Sequence, residues 1–584
     1  MRRRTTAVLL TLVLAGISPA PATAAPGAPT VPVPAVTGPL PPRPFFASDL
    51  DLPARGYVEQ EYLYSGHANV YDATVAPGIG ARPTPSPTAN IVSSGHPYTT
   101  RMVVRRPAHP AAFNGTVIVE WLNATSQYDV EAYWFRTHEF LLRDGYAWVG
   151  ITAQSAPVTH PVLGLKAFDP QRYAALDLPA GDALSFDAYA QGLQAVRRAG
   201  VLGGLQNRIG TVIAAGVSQS AGRVSVFVNA VQPRTRPVAD AVLLYVGGER
   251  LRDDLPIPVF KVLSETEFAA PPASSANEIS SLQPDTRRMR TWAVAGTSHS
   301  DWASFAVRYA LLRRDQPTAP LRDNCARPSR SRIPDRYTLS AATHHLARWA
   351  RHGTPPPTAP LITLGPDGLT VQRDQHGNAL GGLRLAPFQV PVALDTGINE
   401  NPPGAGGLCF LNGTHLPFDR ATLTALYPDR PTYLRQFTAA TARNVRDGYV
   451  LLPDAAEMLR DAHTSLTGRD LECRELCANV SQFPIQPSTQ LLRDHTAFLY
   501  QRGGDRLLHT LDDATLAVAR GQTDPARQPH HYAVAVRALE DYRDLLERQR
   551  RLGRATVEQA ALLDGYATEL IQRLTPGPPT GHGA

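Results

Sequence analysis

Between about residues 45 and 305, short β-branched or apolar runs alternate with helix-length segments, and that alternation limits the fold more than any other feature of the chain. Tyr98–Val104, Thr116–Trp121, Tyr146–Thr152, Thr211–Ala215, Ala239–Val246, Val259–Leu263 and Thr291–Ala295 read as strands. Val130–Arg143, closed by Gly145, and Phe186–Arg198 read as helices between them. The strands are nearly continuous apolar runs rather than alternating ones. A strand needs that composition when helices cover both faces of its sheet, so the pattern predicts an α/β architecture with a mostly parallel sheet.

The rest of the chain divides by texture. Residues 25–44 are rich in Pro and Ala and read as an extended tether, and 45–480 as one large unit. Within that unit, 306–480 forms an irregular, proline-rich extension with one clear helix at Leu339–Arg351. In 486–575, Val536, Leu539, Tyr542 and Leu546 recur at helical spacing up to Gly553. Thr556 and Gln559 then make a capping box ahead of Ala560, Leu563, Ala567, Leu570 and Leu574. This is a helical hairpin or small bundle with no visible chemistry.

Residues 1–24 have the form of a signal peptide. Arg2, Arg3 and Arg4 precede the apolar run Ala7–Ile17, and Ala22-Thr23-Ala24 offers a small-x-small cleavage site before Ala25. The apolar run is too short to span a bilayer, which needs about 20 residues, and no later segment is a better candidate. The expected product is exported, with no integral membrane segment. Its formal charge of +6 drops to +3 without the three leader arginines, a small excess scattered over a large surface that gives no reason to expect a nucleic-acid partner. The four cysteines of an exported chain favour disulfides, with Cys325–Cys409 and Cys473–Cys477 the expected pairs because each stays within one segment. No histidine stands at metal-ligand spacing near Cys473 and Cys477, so no metal and no cofactor is expected.

The chemistry concentrates at Ala214-Ala215-Gly216-Val217-Ser218-Gln219-Ser220-Ala221-Gly222, where a strand runs into a helix. A nucleophile on so sharp a turn requires small residues two positions before and after it, and Gly216 and Ser220 meet that demand. Gln219, opening the helix, would turn its N–H toward a developing oxyanion. Acid and histidine should follow in that order, each just past a later strand. His299 sits past Trp292–Gly296, and two carboxylates, Glu265 and Glu267, follow Val259–Leu263. Glu267 is preferred, with Glu265 the alternate; Asp301 is too near His299 in sequence.

These motifs resemble a family. Gly95–Arg101 and Phe113–Asn123, taken with Gly216–Ser220, Ser264–Glu267 and Ala295–His299, are similar to the bacterial "alpha/beta hydrolase domain-containing" proteins. The likeness covers roughly residues 45–450. The resemblance implies the α/β-hydrolase fold and a serine hydrolase acting on carboxylic esters or related acyl bonds. The family pattern carries aspartate where Glu267 stands here. In such an enzyme His299 would take the proton of Ser218, Glu267 would hold the imidazole, and the N–H groups of Gln219 and Asn123 would bind the oxyanion. The same residues would also serve a peptidase or acyltransferase, and a non-catalytic binding protein on this scaffold is the reading from another class. The partner implied is an acyl-ester substrate; oligomeric state is not legible.

Overall fold

The computed structural model describes residues 27–73, 88–317, 319, 325–418, 420–464, 504–555 and 557–575, with isolated positions 489, 492, 493 and 496. Its centre is a nine-stranded sheet: β1 (Ala35–Thr37), β2 (Tyr57–Tyr71), β3 (Ile91–Pro107), β4 (Thr116–Trp121), β5 (Ala147–Ile151), β6 (Thr211–Val217), β7 (Ala241–Tyr245), β8 (Val259–Ser264) and β9 (Met289–Val294). The spatial order is β1-β2-β3-β5-β4-β6-β7-β8-β9. The pairs from β5 through β9 are all parallel, and β1, β2, β3 and β5 pair antiparallel. Every residue of β4 to β9 is buried, as the continuous apolar runs required. The expected α/β architecture is present.

The chain runs from β4 outward to β5 and then returns to place β6 on the other side of β4. This reversal opens a crevice at the carboxyl ends of β4 and β6, the position where open α/β sheets bind ligands.

Three segments differ from their sequence reading. The stretch read as a tether, where it is described, docks on the sheet: β1 pairs with β2, and Phe45 and Phe46 are buried beyond it. β2 was not anticipated, because its polar residues hide the period; Glu59 and Glu61 are tied to buried arginines rather than to water. The helix expected from Val130 begins at Trp134, because the preceding residues are pulled out of helical geometry by a β-bridge from Asn123 to Val130 and by ion pairs at Asp129 and Glu131.

Those ion pairs lace the loop after β4 to the antiparallel half of the sheet. On β3, Arg101 binds Glu61 at 2.6 Å and Asp129 at 2.8 Å. Arg105 binds Glu59 at 2.7 Å and Glu131 through Nη2 at 3.0 Å, with its guanidinium lying against the rings of Trp134 and Trp148. Glu120 of β4 accepts the N–H groups of Tyr133 and Trp134 and the indole N–H of Trp148.

The extension holds more helix than the sequence suggested. Trp302–Asp315 is capped by Asp301, and Asp335–His352 encloses the predicted Leu339–Arg351. Arg430–Arg446 and Leu452–Thr464 follow a two-stranded ribbon, Ala393–Thr396 with Thr414–Pro417. Cys325 and Cys409 form the expected disulfide. Cys473, Cys477, Thr556 and the leader lie outside the described residues. At the C-terminus, helices Asp505–Thr523, Gln528–Arg551 and Val557–Leu574 share a second core, and Gly553 takes a left-handed conformation after the middle one. That core also takes in Phe305 and Tyr309 from the Trp302–Asp315 helix. Among the described residues no helix is long and apolar enough to cross a membrane.

Arg105→Met would leave Glu131 buried without its partner. It is expected to lower unfolding free energy by about 3–5 kcal/mol in urea denaturation. Burial pushes the Glu120 carboxyl up from 4.5 to about 8. The folded state therefore binds this proton more tightly than the unfolded chain does. The resulting stability is complete below the unfolded value and is lost as pH rises through the folded one. Melting temperatures measured from pH 5 to 9 should fall less steeply for Glu120→Gln than for the parent.

Candidate active site

Ser218 caps β6 with φ 59° and ψ −123°, a conformation that L residues adopt only under constraint. The constraints are identifiable. Its N–H donates to Tyr245 O of the neighbouring strand at 2.9 Å. A Cβ on Gly216 would lie 2.6 Å from Ser220 O, and one on Gly247 would lie 2.9 Å from Ser218 O, so both positions need glycine. Ser220, standing where a second glycine is usual, folds its hydroxyl back between the N–H and C=O of Val217. The N–H of Gln219, first residue of the Gln219–Val226 helix, has no acceptor among the described residues.

The three residues singled out for nucleophilic chemistry meet at this turn. His299 Nε2 lies 2.7 Å from Ser218 Oγ, and His299 Nδ1 lies 2.8 Å from Glu267 Oε1. Glu267 is fully buried, and its second oxygen accepts the N–H of Ser264 at 2.8 Å and its hydroxyl at 2.6 Å. Glu265 takes a different direction. It accepts the N–H of Gly296 at 2.9 Å, the N–H of Gly397 at 3.1 Å and Arg373 at 2.9 Å. It thus ties the histidine-bearing loop to the end of β8 and to the extension. Of the two glutamates the sequence left open, Glu267 reaches the imidazole.

The loop carrying His299 is held from two further sides. Its N–H donates to Thr266 Oγ1 at 2.9 Å, and its carbonyl accepts Arg136 Nη2 at 2.9 Å. Arg136 is itself paired with Asp301 at 3.3 Å and stacks on Tyr245. Sequence reading passed over Arg136; the available signal was an arginine placed among apolar residues of a helix destined for burial.

One expected role needs correction. The backbone N–H of Asn123, proposed as an oxyanion donor, already donates to Val130 O at 3.1 Å, and its side-chain amide donates to Val217 O at 2.9 Å. In the same turn Leu122 N–H goes to Ile151 O and Thr125 N–H to Asn123 Oδ1. Ala124 N–H is loosely engaged, at 3.4 Å from Gln219 Oε1. Spacing alone points to Asn123, since the bridge that consumes its N–H depends on where Val130 folds back.

Ser218 and His299 open onto a cavity of about 160 Å³. Phe135, Leu163, Phe305 and Leu312 make its apolar wall, and Tyr128, Arg136, Arg308 and Arg330 its polar one. Phe305 and Tyr309 reach it from the helix on which the C-terminal core packs. Among the described residues no group of three or more His, Cys, Asp or Glu is arranged to hold a metal ion.

Comparison with solved structures finds distant similarities. A cold-adapted esterase from an Arctic intertidal metagenomic library is 13% identical over 40% of this chain and 84% of its own, at a TM-score of 0.22. Carboxylesterase EST55 from Geobacillus stearothermophilus is 11% identical over 50% and 87%, at 0.23. The rice cell wall degrading esterase LipA from Xanthomonas oryzae is 12% identical over 33% and 43%, at 0.18. No curated protein matches the sequence. The model of one family, described as an alpha/beta hydrolase domain, matches residues 26–460. That span is most of the chain and contains the whole sheet, Ser218, Glu267 and His299; the protein belongs to the alpha/beta hydrolase domain family.

Proposed function

We propose that this alpha/beta hydrolase is an exported serine esterase that cleaves carboxylic esters through an acyl-enzyme intermediate. The observation that carries the reading is the unbroken hydrogen-bonded chain from Ser218 through His299 to Glu267, with the serine on a strained turn at the wall of a cavity. His299 Nε2 accepts the Ser218 proton as Oγ attacks the acyl carbon. Glu267, bonded to Nδ1, keeps the ring in the tautomer that leaves Nε2 free and stabilises the imidazolium once formed. The Gln219 N–H, which has no acceptor among the described residues, and the Ala124 N–H, which is weakly committed, supply the oxyanion donors. The protonated imidazole then hands its proton to the departing alkoxide. Water, deprotonated by the same nitrogen, releases the acid.

Export rests on the leader at residues 1–24 and suits the Cys325–Cys409 disulfide, which persists in an oxidising compartment.

A fluorophosphonate probe should label the folded protein and fail to label Ser218→Ala. Absence of label on the parent would favour a non-catalytic binding protein instead. On a panel of p-nitrophenyl esters of graded acyl length, Ser218→Ala should lose about 10⁴-fold or more in kcat. Glu267→Gln should lose about 10²–10⁴-fold with little change in melting temperature. Glu265→Gln should melt earlier yet keep its turnover per folded molecule within about tenfold, because its carboxylate anchors the loop and does not touch the imidazole.

A further inference from the structure

The cavity beside Ser218 has an asymmetric charge. Arg136, Arg308 and Arg330 contribute to its wall, and among the described residues no aspartate or glutamate does. Arg136 is answered from behind the wall by Asp301, and Arg330 is engaged by Ser300 and the ring of Phe305. Arg308 is different. All its bonds go to neutral hydroxyls: Nη2 donates to Ser126 Oγ at 2.7 Å, Nε donates to Tyr128 Oη at 3.1 Å, and Nη2 also contacts Tyr128 Oη. Its guanidinium carbon stands 5.2 Å from the centre of the Tyr128 ring. Nη1 bonds to no described residue, and no carboxylate of the described chain pairs with this half-buried cation.

Two of the elements that build the reaction centre also build this group. Ser126 and Tyr128 lie in the loop after β4, the same loop that supplies Ala124, and Arg308 lies on the helix that starts three residues after His299. Removing a guanidinium from water without an anion is unfavourable, and an aromatic face offsets only part of that. An arginine held in a fixed orientation with its Nη1 unused is arranged to donate from that nitrogen to a carboxylate.

Resting on the esterase reading of Ser218, we propose that the substrate is a small ester that also carries a free carboxylate, and that Arg308 binds that carboxylate. The cavity, at about 160 Å³, has room for a small ester of this kind. Hydrolysis consumes one water, breaks the acyl C–O bond at Ser218, and releases an acid and an alcohol. The carboxylate belongs either to the acyl part, as in a half-ester of a dicarboxylic acid, or to the alcohol part, as in an O-acylated hydroxy acid.

The test compares kcat/KM for monomethyl succinate with that for neutral dimethyl succinate, and for O-acetylglycolate with that for its methyl ester. It uses the full-length protein and the variants Arg308→Gln and Arg308→Lys. The parent should favour the anion of one pair by about tenfold or more, and which pair responds assigns the carboxylate to the acyl or the alcohol side. Arg308→Gln should reduce that anion-to-neutral ratio about 10- to 100-fold, mainly through KM, and Arg308→Lys should restore part of it. A purely structural Arg308 would lower both members of a pair together and leave the ratio unchanged, which overturns the proposal, as does a parent that prefers both neutral esters. The esterase reading is checked separately by fluorophosphonate labelling of Ser218. If that labelling fails, calorimetric binding of monomethyl succinate and O-acetylglycolate to Ser218→Ala, against the Ser218→Ala/Arg308→Gln double variant, still decides the carboxylate site: binding lost with Arg308 supports it, and equal binding or none overturns it.

Discussion

A serine with φ 59° and ψ −123° is unstable unless its surroundings leave it no alternative, and at Ser218 they leave none. Such a conformation costs on the order of 1–3 kcal/mol. It is held by a bond to β7, by two glycines whose missing side chains make room for the backbone of the turn, and by the helix that must begin at Gln219. The outcome is a hydroxyl raised clear of the sheet, at the point where the strand order reverses. Each other part of the site is oriented with respect to that hydroxyl.

The carboxyl ends of β8 and β9 show how the opposing side is built. Two glutamates two positions apart divide the work. Glu265 fixes the loop through Gly296 and reaches into the extension, and Glu267 approaches the imidazole. Arg136 holds the carbonyl of His299 from the helix after β4, so the histidine is braced by elements from both sides of β6. Since Arg101 and Arg105 fix the loop leading into that helix, buried charge on the antiparallel side contributes to the position of a ring on the parallel side. Arrangements of this kind tolerate little displacement, because an unpaired buried charge is strongly unfavourable.

The C-terminal helices take on a physical role in this arrangement. Their core includes Phe305 and Tyr309, and these two side chains also line the cavity. The ring of Tyr309 lies 5.9 Å from that of Tyr566. The C-terminal segment therefore supports the helix that carries Arg308, and that helix closes one wall of the site.

Composition and spacing were enough to read the parallel sheet, the turn around Ser218, the order of serine, carboxylate and histidine, and one disulfide pair, since each follows from local rules: apolar runs for buried strands, small residues at a tight turn, and a fixed sequence of strand ends. They narrowed the acid to Glu265 or Glu267 and preferred the second, but a two-residue difference at a strand end is settled by which side chain points at the ring. β2 escaped because the partners of its charged residues lie on β3 and beyond, and a sequence does not show that Glu59 and Glu61 will be buried against arginines. Asn123 was misassigned for the same reason: its N–H is consumed by Val130, which is brought opposite only when Asp129 and Glu131 are drawn onto β3. The separation of Arg308 from every carboxylate of the described residues is likewise a tertiary fact, since charge pairing depends on distances through space that residue order does not encode.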